Sequence, residues 1–225
     1  MNTIGIIGAM PSEMEDIRRV LKDAEIISVG GYDFYRSETG GKTVYHVCCG
    51  VATVNAAICT QILVDRFQVD GVISVGIAGG MGEKVKVCDI VISDEVLYHD
   101  VDAHFLDKYP PYCSVYRADK AMITCAAETC ESQEVPCFVG RIVSGDAFIS
   151  SNEVKADIAE RCKPMAVDME SAAIGHCAFR NKLPFVSVRC ISDNADDDGE
   201  MSFETFEKLA AKRVAGLVLT MISRL

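Results

Sequence analysis

Short apolar runs alternate with amphipathic segments along the whole chain, and this alternation constrains the fold more than any other feature. The runs Thr3–Ala9, Tyr32–Ser37, Thr43–Cys49, Gly71–Ile77, Asp89–Val96, Phe138–Val143 and Phe185–Ile191 read as strands. Between them Ser12–Leu21, Ala52–Phe67, Ala118–Ser132, Glu153–Arg161, Met169–Phe179 and Phe203–Ser223 read as helices. Helical spacing is clearest in the last, where Phe203, Phe206, Leu209, Ala210 and Val214 share one face. Near-continuous apolar strands need cover on both faces, so the expected fold is a three-layer α/β/α sandwich around a central, mostly parallel sheet. The turn Thr39-Gly40-Gly41-Lys42 joins two neighbouring strands as an antiparallel hairpin, which makes that sheet mixed. No linker, repeat or low-complexity segment interrupts the pattern, so residues 1–225 are expected to form one domain.

Composition removes several function classes. There are 33 acidic against 22 basic residues and no basic stripe, a surface that repels nucleic-acid phosphates. No stretch approaches the roughly 20 apolar residues of a membrane helix. The strand-like run from Ile4 to Ile7 follows the first residues without a basic region or cleavage site, which predicts a cytoplasmic protein. The 11 cysteines lie mostly inside apolar runs and form no C-x-x-C pairs. They read as small hydrophobes in a reducing compartment, with no zinc site expected.

Four segments carry candidate chemistry. In Ile4-Gly5-Ile6-Ile7-Gly8-Ala9-Met10-Pro11-Ser12-Glu13 a strand enters a tight turn and a helix, placing Glu13 in a first turn where the helix dipole favours an ionised carboxylate. The glycine spacing is not that of a dinucleotide site, and no nicotinamide cofactor is expected. Taken alone, Glu13 also fits an ordinary first-turn acid. Gly50-Val51-Ala52-Thr53 and Gly76-Ile77-Ala78-Gly79-Gly80 are turns at strand ends, where open α/β sheets bind ligands, and Val51, Ala78 and Gly79 are candidates to border one. Ser144-Gly145-Asp146-Ala147-Phe148-Ile149 offers an aromatic that could stack on a flat base, and Val167-Asp168-Met169-Glu170 places two acids at a helix opening. Arg189 lies inside an apolar strand and needs a buried acidic partner, while Ser192 and Asp193 come at that strand's end. The run Asp196-Asp197-Asp198-Gly199 lacks the alternating oxygen ligands of a calcium loop.

The ordered set, from I-G-I-I-G-A-M through S-G-D-A-F-I, V-D-M-E and R-C-I-S-D to S-F-E-T-F, resembles the 5′-methylthioadenosine/S-adenosylhomocysteine nucleosidases of the purine nucleoside phosphorylase-like superfamily. The resemblance implies hydrolysis of both nucleosides to adenine and a thio-sugar, a role in methionine salvage, no cofactor and a homodimer. It implies that Glu13 activates water and Asp193 protonates adenine, with Arg189 orienting Glu13 and Ser192 orienting Asp193. Glu170 would meet the ribose hydroxyls with Met169 against the sugar. Phe148 would stack on adenine, the Ile149 backbone would read its edge, and Phe203 would line the 5′-substituent pocket. Two acids must then hold opposite protonation states, with Glu13 at a helix N-terminus and Asp193 at a more occluded strand end. This chain departs from the family pattern at Ile77, at Thr53 and in a short loop from Phe105 to Tyr112. Those departures leave the substrate range open, for example to another adenine nucleoside such as aminodeoxyfutalosine. A purine nucleoside phosphorylase is the other alternative, and against it stands Glu13, which would repel phosphate.

Overall fold

The computed structural model describes residues 1–225. Its elements are β1 (Thr3–Gly8), α1 (Pro11–Val20), β2 (Glu25–Val29), β3 (Tyr32–Thr39), β4 (Lys42–Cys48), α2 (Thr53–Phe67), β5 (Gly71–Gly80), β6 (Ile90–Tyr98), α3 (Ala103–Lys108), β7 (Tyr116–Arg117), α4 (Lys120–Ser132), β8 (Cys137–Ser144), α5 (Asn152–Cys162), β9 (Ala166–Asp168), α6 (Ser171–Asn181), β10 (Phe185–Asp193) and α7 (Gly199–Arg224). Every strand and helix expected from the sequence is present, with ends shifted by a few residues. β2, β7, β9 and α3 have no counterpart in the sequence reading. β2 is an edge strand with Ile26 exposed, and β7 and β9 are too short for a period-2 pattern to register.

The strands form one mixed sheet flanked by helices. Parallel pairings join β1 to β4 and β5, β5 to β10, β6 to β8, and β8 to β9. The remaining pairings are antiparallel, including the β3–β4 hairpin, whose Gly40 and Gly41 both take positive φ as a tight two-residue turn requires. Helices cover opposite faces: Gly5 packs beneath Leu63 of α2, whereas Gly8, three residues on, packs beneath Met14 of α1. α7 lies along β5 and β10 with α1 and α4 beside it, and α2 packs on α6. The expected face of the last helix is only partly right. Ala210 and Val214 are buried, but Leu209 is 51% exposed, because the buried stripe begins at Ala210 and the earlier turns project beyond the sheet.

One irregularity prepares the site. β5 is buried along its length and pairs with β10 until the register slips between Ile191 and Asp193. Beyond the slip β9 inserts antiparallel against Gly79 and Gly80, and β8 links β9 to β6, so this half of the sheet curls closed. The parting strand ends leave a crevice at the carboxyl edge.

α6 approaches the sheet closely at Gly175, where an added Cβ would sit 2.5 Å from Val96 and 2.8 Å from Phe185. Overpacking of about 1–3 kcal/mol should outweigh the roughly 1 kcal/mol helix gain of replacing glycine. Gly175→Ala is therefore expected to lower the urea midpoint at unchanged m-value; an unchanged or higher midpoint contradicts this packing.

Candidate active site

The crevice holds a cavity of about 350 Å³ whose wall is largely apolar. The turn after β1 and the start of α1 supply Met10 and Glu13, and the turn before α2 supplies Val51. β5 supplies Ile77, Ala78 and Gly79; the segment after β9 supplies Met169 and Glu170; β10 supplies Ser192 and Asp193. Phe148 and Phe203 meet edge to face across the opening, with ring centroids 5.6 Å apart. Ile149 stands apart, in a side recess of about 30 Å³ shared with Phe148 and Asp193. It is buried, and no hydrogen bond within the chain engages its backbone N–H or C=O. Met10 and Asp168 also border the cavity; Asp168 is one of the two acids expected at the helix opening, whereas a lone Met carries no distinguishing signal in the sequence.

Glu13 is 3% exposed and anchored by backbone alone. Its Oε2 accepts from the N–H groups of Ala9 at 2.6 Å and Met10 at 2.9 Å, and its Oε1 from Ile77 at 2.9 Å. The bond to Met10 ties the N3 side chain of α1 back to its N-cap amide, as in the returning half of a capping box, and Pro11 occupies the first helical position. Burial raises its pKa, against the charge of Arg189 and the three amides. Arg189, expected to orient Glu13, engages it without a hydrogen bond. Arg189 donates from Nε to Asp168 at 2.7 Å and from Nη2 to Ser74 at 2.8 Å, and makes no hydrogen bond to Glu13. It acts on Glu13 through its charge: a Cβ on Gly76 would lie 2.4 Å from Glu13 Oε1 and 2.9 Å from Arg189 Nη1, so the two groups converge over that glycine.

Asp193 follows the β10 register slip, and bulges of this kind turn a side chain toward a site. Its Oδ2 accepts from Ser192 Oγ at 2.8 Å and its Oδ1 from Ala195 N–H at 2.8 Å. Burial raises its pKa, opposed by these two bonds. Asp193 is 2% exposed and Glu13 3%, so occlusion does not distinguish them as the sequence argument supposed. The donors do. Three fixed amides favour the ionised form of Glu13, while the Ser192 hydroxyl can rotate to serve either form of Asp193.

Glu170, at the head of α6, accepts from Ala52 N–H at 2.9 Å. Burial first, and then the neighbouring charge of Asp168, lift its pKa from 4.5 to about 8. Asp168 is the partner that Arg189 required, and it also accepts from Ser144 Oγ at 2.5 Å and from Ser171. Among the departures, Ile77 lines the cavity, Thr53 binds Asp146 outside it, and no residue from Phe105 to Tyr112 reaches it. No three His, Cys, Asp or Glu side chains converge in a way that could hold a metal ion. All 11 cysteines are free thiols, and burial pushes Cys59 and Cys190 up to about 12, the opposite of an activated nucleophile.

Residues 3–223 match the family model of the phosphorylase superfamily. A 5′-methylthioadenosine/S-adenosylhomocysteine nucleosidase of Oceanobacillus iheyensis is 36% identical, the alignment covering 99% of this chain and all of that protein. One from Staphylococcus aureus is 37% identical over the same share of each. The chain belongs to this nucleosidase family. A crystal structure of the Neisseria meningitidis nucleosidase in complex with methylthio-immucillin-A superposes with a TM-score of 0.95 at 34% identity, covering 100% of both chains. A Helicobacter pylori structure described as futalosine hydrolase superposes with a TM-score of 0.94 at 28% identity, covering 100% of this chain and 98% of that one.

Two outcomes follow for this nucleosidase-family site. Gly76→Ala is expected to displace Glu13 and reduce turnover by at least about tenfold while circular dichroism stays native; full activity would contradict the crowding over Gly76. The second concerns pH. Folded Glu170 keeps its proton to about pH 8, whereas unfolded it ionises near 4.5. Between those values the folded state binds more protons, so this group's contribution to stability falls as pH rises. Glu170→Gln should therefore gain on the wild type in denaturant midpoint from pH 5 to pH 8; a constant difference contradicts the raised pKa.

Proposed function

We infer that this chain hydrolyses the N-glycosidic bond of 5′-methylthioadenosine and S-adenosylhomocysteine, releasing adenine and the thio-ribose. The observation that carries the choice of water over phosphate is the lining itself. Four carboxylates, those of Glu13, Asp168, Glu170 and Asp193, border the cavity, and no Lys, Arg or His does. A phosphate would meet repulsion there, while water next to Glu13 would meet a base. In this reading Glu13 takes a proton from water as its oxygen bonds C1′, the C1′–N9 bond breaks, and Asp193 delivers a proton to N7 of the departing adenine. The ionised carboxylate of Glu13 favours the positive charge that builds on the ribose.

Phe148 stacks on the base in this reading, and the free backbone edge of Ile149 faces its polar rim, which explains a buried residue with unengaged N–H and C=O. Met169, Val51, Ala78 and Gly79 bound the sugar, and Phe203 bounds the 5′-substituent. We further propose one domain over 1–225, a cytoplasmic homodimer and a role in methionine salvage. The continuous sheet supports the first. The exposed apolar residues Val51, in the turn before α2 at the cavity, and Val54 and Ile58 on α2 support a partner subunit there. No helix is long and apolar enough to cross a membrane. Aminodeoxyfutalosine is a second substrate reading, favoured by the likeness to the structure described as futalosine hydrolase.

Methylthioadenosine, S-adenosylhomocysteine, aminodeoxyfutalosine and inosine incubated with and without phosphate should yield adenine and free thio-ribose from the first two, phosphate or no phosphate. A strict phosphate requirement with a sugar 1-phosphate product would overturn the reading. Asp193→Asn is expected to lower kcat by about 10²–10⁴-fold while calorimetric affinity stays within a few-fold; parallel loss of both would remove Asp193 from its acid role.

A further inference from the structure

The turn that carries the Glu170 donor is strained. Ala52 has φ 82 and ψ 165, a backbone region that belongs almost wholly to glycine. It is the N-cap of α2, and its own side chain caps nothing. An alanine persists in such a conformation only where its surroundings over-determine it. They do so here from both sides. On one side Asn55 Nδ2 donates to Val51 C=O at 2.6 Å, and Tyr32 Oη donates to Asn55 Oδ1 at 3.0 Å. On the other, Asp146 receives two bonds from Thr53, one from its N–H at 2.8 Å and one from its Oγ1 at 2.9 Å. Asp146 is in turn held through its own N–H, which donates to Asp100 Oδ2 at 2.9 Å.

Asp146 therefore supplies, from a distant loop, the cap that the head of α2 lacks. A carboxylate on the first amides of a helix is favoured by the helix dipole and by the charge-assisted bonds it receives. With Thr53 held, the Ala52 N–H points outward to Glu170. We propose that Asp146 is a positioning residue for the sugar-side carboxylate: it clamps Thr53 so that Ala52 holds its glycine-like conformation and fixes Glu170. The loop carrying Asp146 also carries Phe148, two residues on, so the clamp ties the wall on the base side to the carboxylate on the sugar side. The kinetic part of this proposal rests on the reading that Glu170 meets the ribose hydroxyls.

The test uses Asp146→Ala, Thr53→Val, and Asp146→Ala combined with Ala52→Gly, in the full chain. Asp146→Ala should raise KM for methylthioadenosine about fivefold, with kcat and its pH profile little changed, because Glu13 and Asp193 are anchored elsewhere. KM for the 2′,3′-dideoxy analogue, which has no hydroxyls for Glu170, should not move. Adding Ala52→Gly should recover much of the loss, since glycine adopts φ near +80 without the clamp. Thr53→Val, which removes one bond and keeps the amide, should shift KM in the same direction by less, and it carries the test if Asp146→Ala fails to fold. An unchanged KM, an equal rise for the dideoxy analogue, or no recovery on adding glycine overturns the proposal. Amide exchange at Ala52 reads the clamp without any substrate and should be at least about tenfold faster in Asp146→Ala; equal protection overturns it. If the wild type releases no adenine, the functional reading falls while the exchange measurement still decides the clamp.

Discussion

Arg189 is the one cation buried among three carboxylates, and the ends of several strands are arranged around the consequences. Its guanidinium, carried on β10, reaches Asp168 at the end of β9 and Ser74 on β5, so a single side chain ties together strands that part at the crevice. A buried charge without such partners would be strongly destabilising. Asp168 has its own retinue, with Ser144 from β8 and Ser171 from α6 donating to it, and Ser171 in turn meets Ser187 on β10. One positive charge does not neutralise Glu13, Asp168 and Glu170 together. The surplus shows in the raised pKa of Glu170, where burial leads and the charges of Asp168 and Glu13 add to it; Glu13 is raised by burial alone, against the charge of Arg189.

The two acids on either side of the cavity are held by different donors. Glu13 keeps an environment of fixed donors, two amides from the turn after β1 and one from Ile77 on β5. Asp193, on the far wall, is held by one amide and one hydroxyl that can turn either way. Both are deeply buried, and their hydrogen-bond donors rather than their depth distinguish them. Glycines make the close approaches possible. A side chain on Gly76 would press on Glu13 and Arg189, and one on Gly79 would come within 2.8 Å of Ala195 and 3.0 Å of Asp193.

Strain and exposure sit at the mouth, where the strained turn touches the charged floor only through Ala52 N–H and Glu170. Ala52 holds its unfavourable φ at the edge, Phe148 is half exposed, and the first turns of α7 that carry Phe203 stand clear of the buried stripe. The buried acids thus sit at strand ends and helix starts, while the aromatic walls of the cavity, Phe148 and Phe203, belong to a loop and a helix end. This is the usual separation of a packed scaffold from the loops that carry recognition.

Much of this was readable from the chain itself. Apolar runs alternating with amphipathic ones specify strands and helices because the periods of 2 and 3.6 are imposed locally, and the hairpin followed from two adjacent glycines. Burial of Arg189 and its need for an acid were legible because a charge in a continuous apolar strand has no solvent to turn to. The roles proposed for Glu13, Glu170 and Asp193 rest on the order of matching motifs, since each acid alone is indistinguishable from a helix cap or a surface charge. Only the tertiary structure decided which acid Arg189 binds, because Asp168 and Glu13 are equally available in sequence and differ only in where β9 and α1 bring them. It also decided the β10 bulge, the three-residue strand β9 and the strained Ala52, features set by how strand ends part and how distant loops meet. Such features depend on contacts between segments far apart in the chain, and no local pattern of residues encodes them.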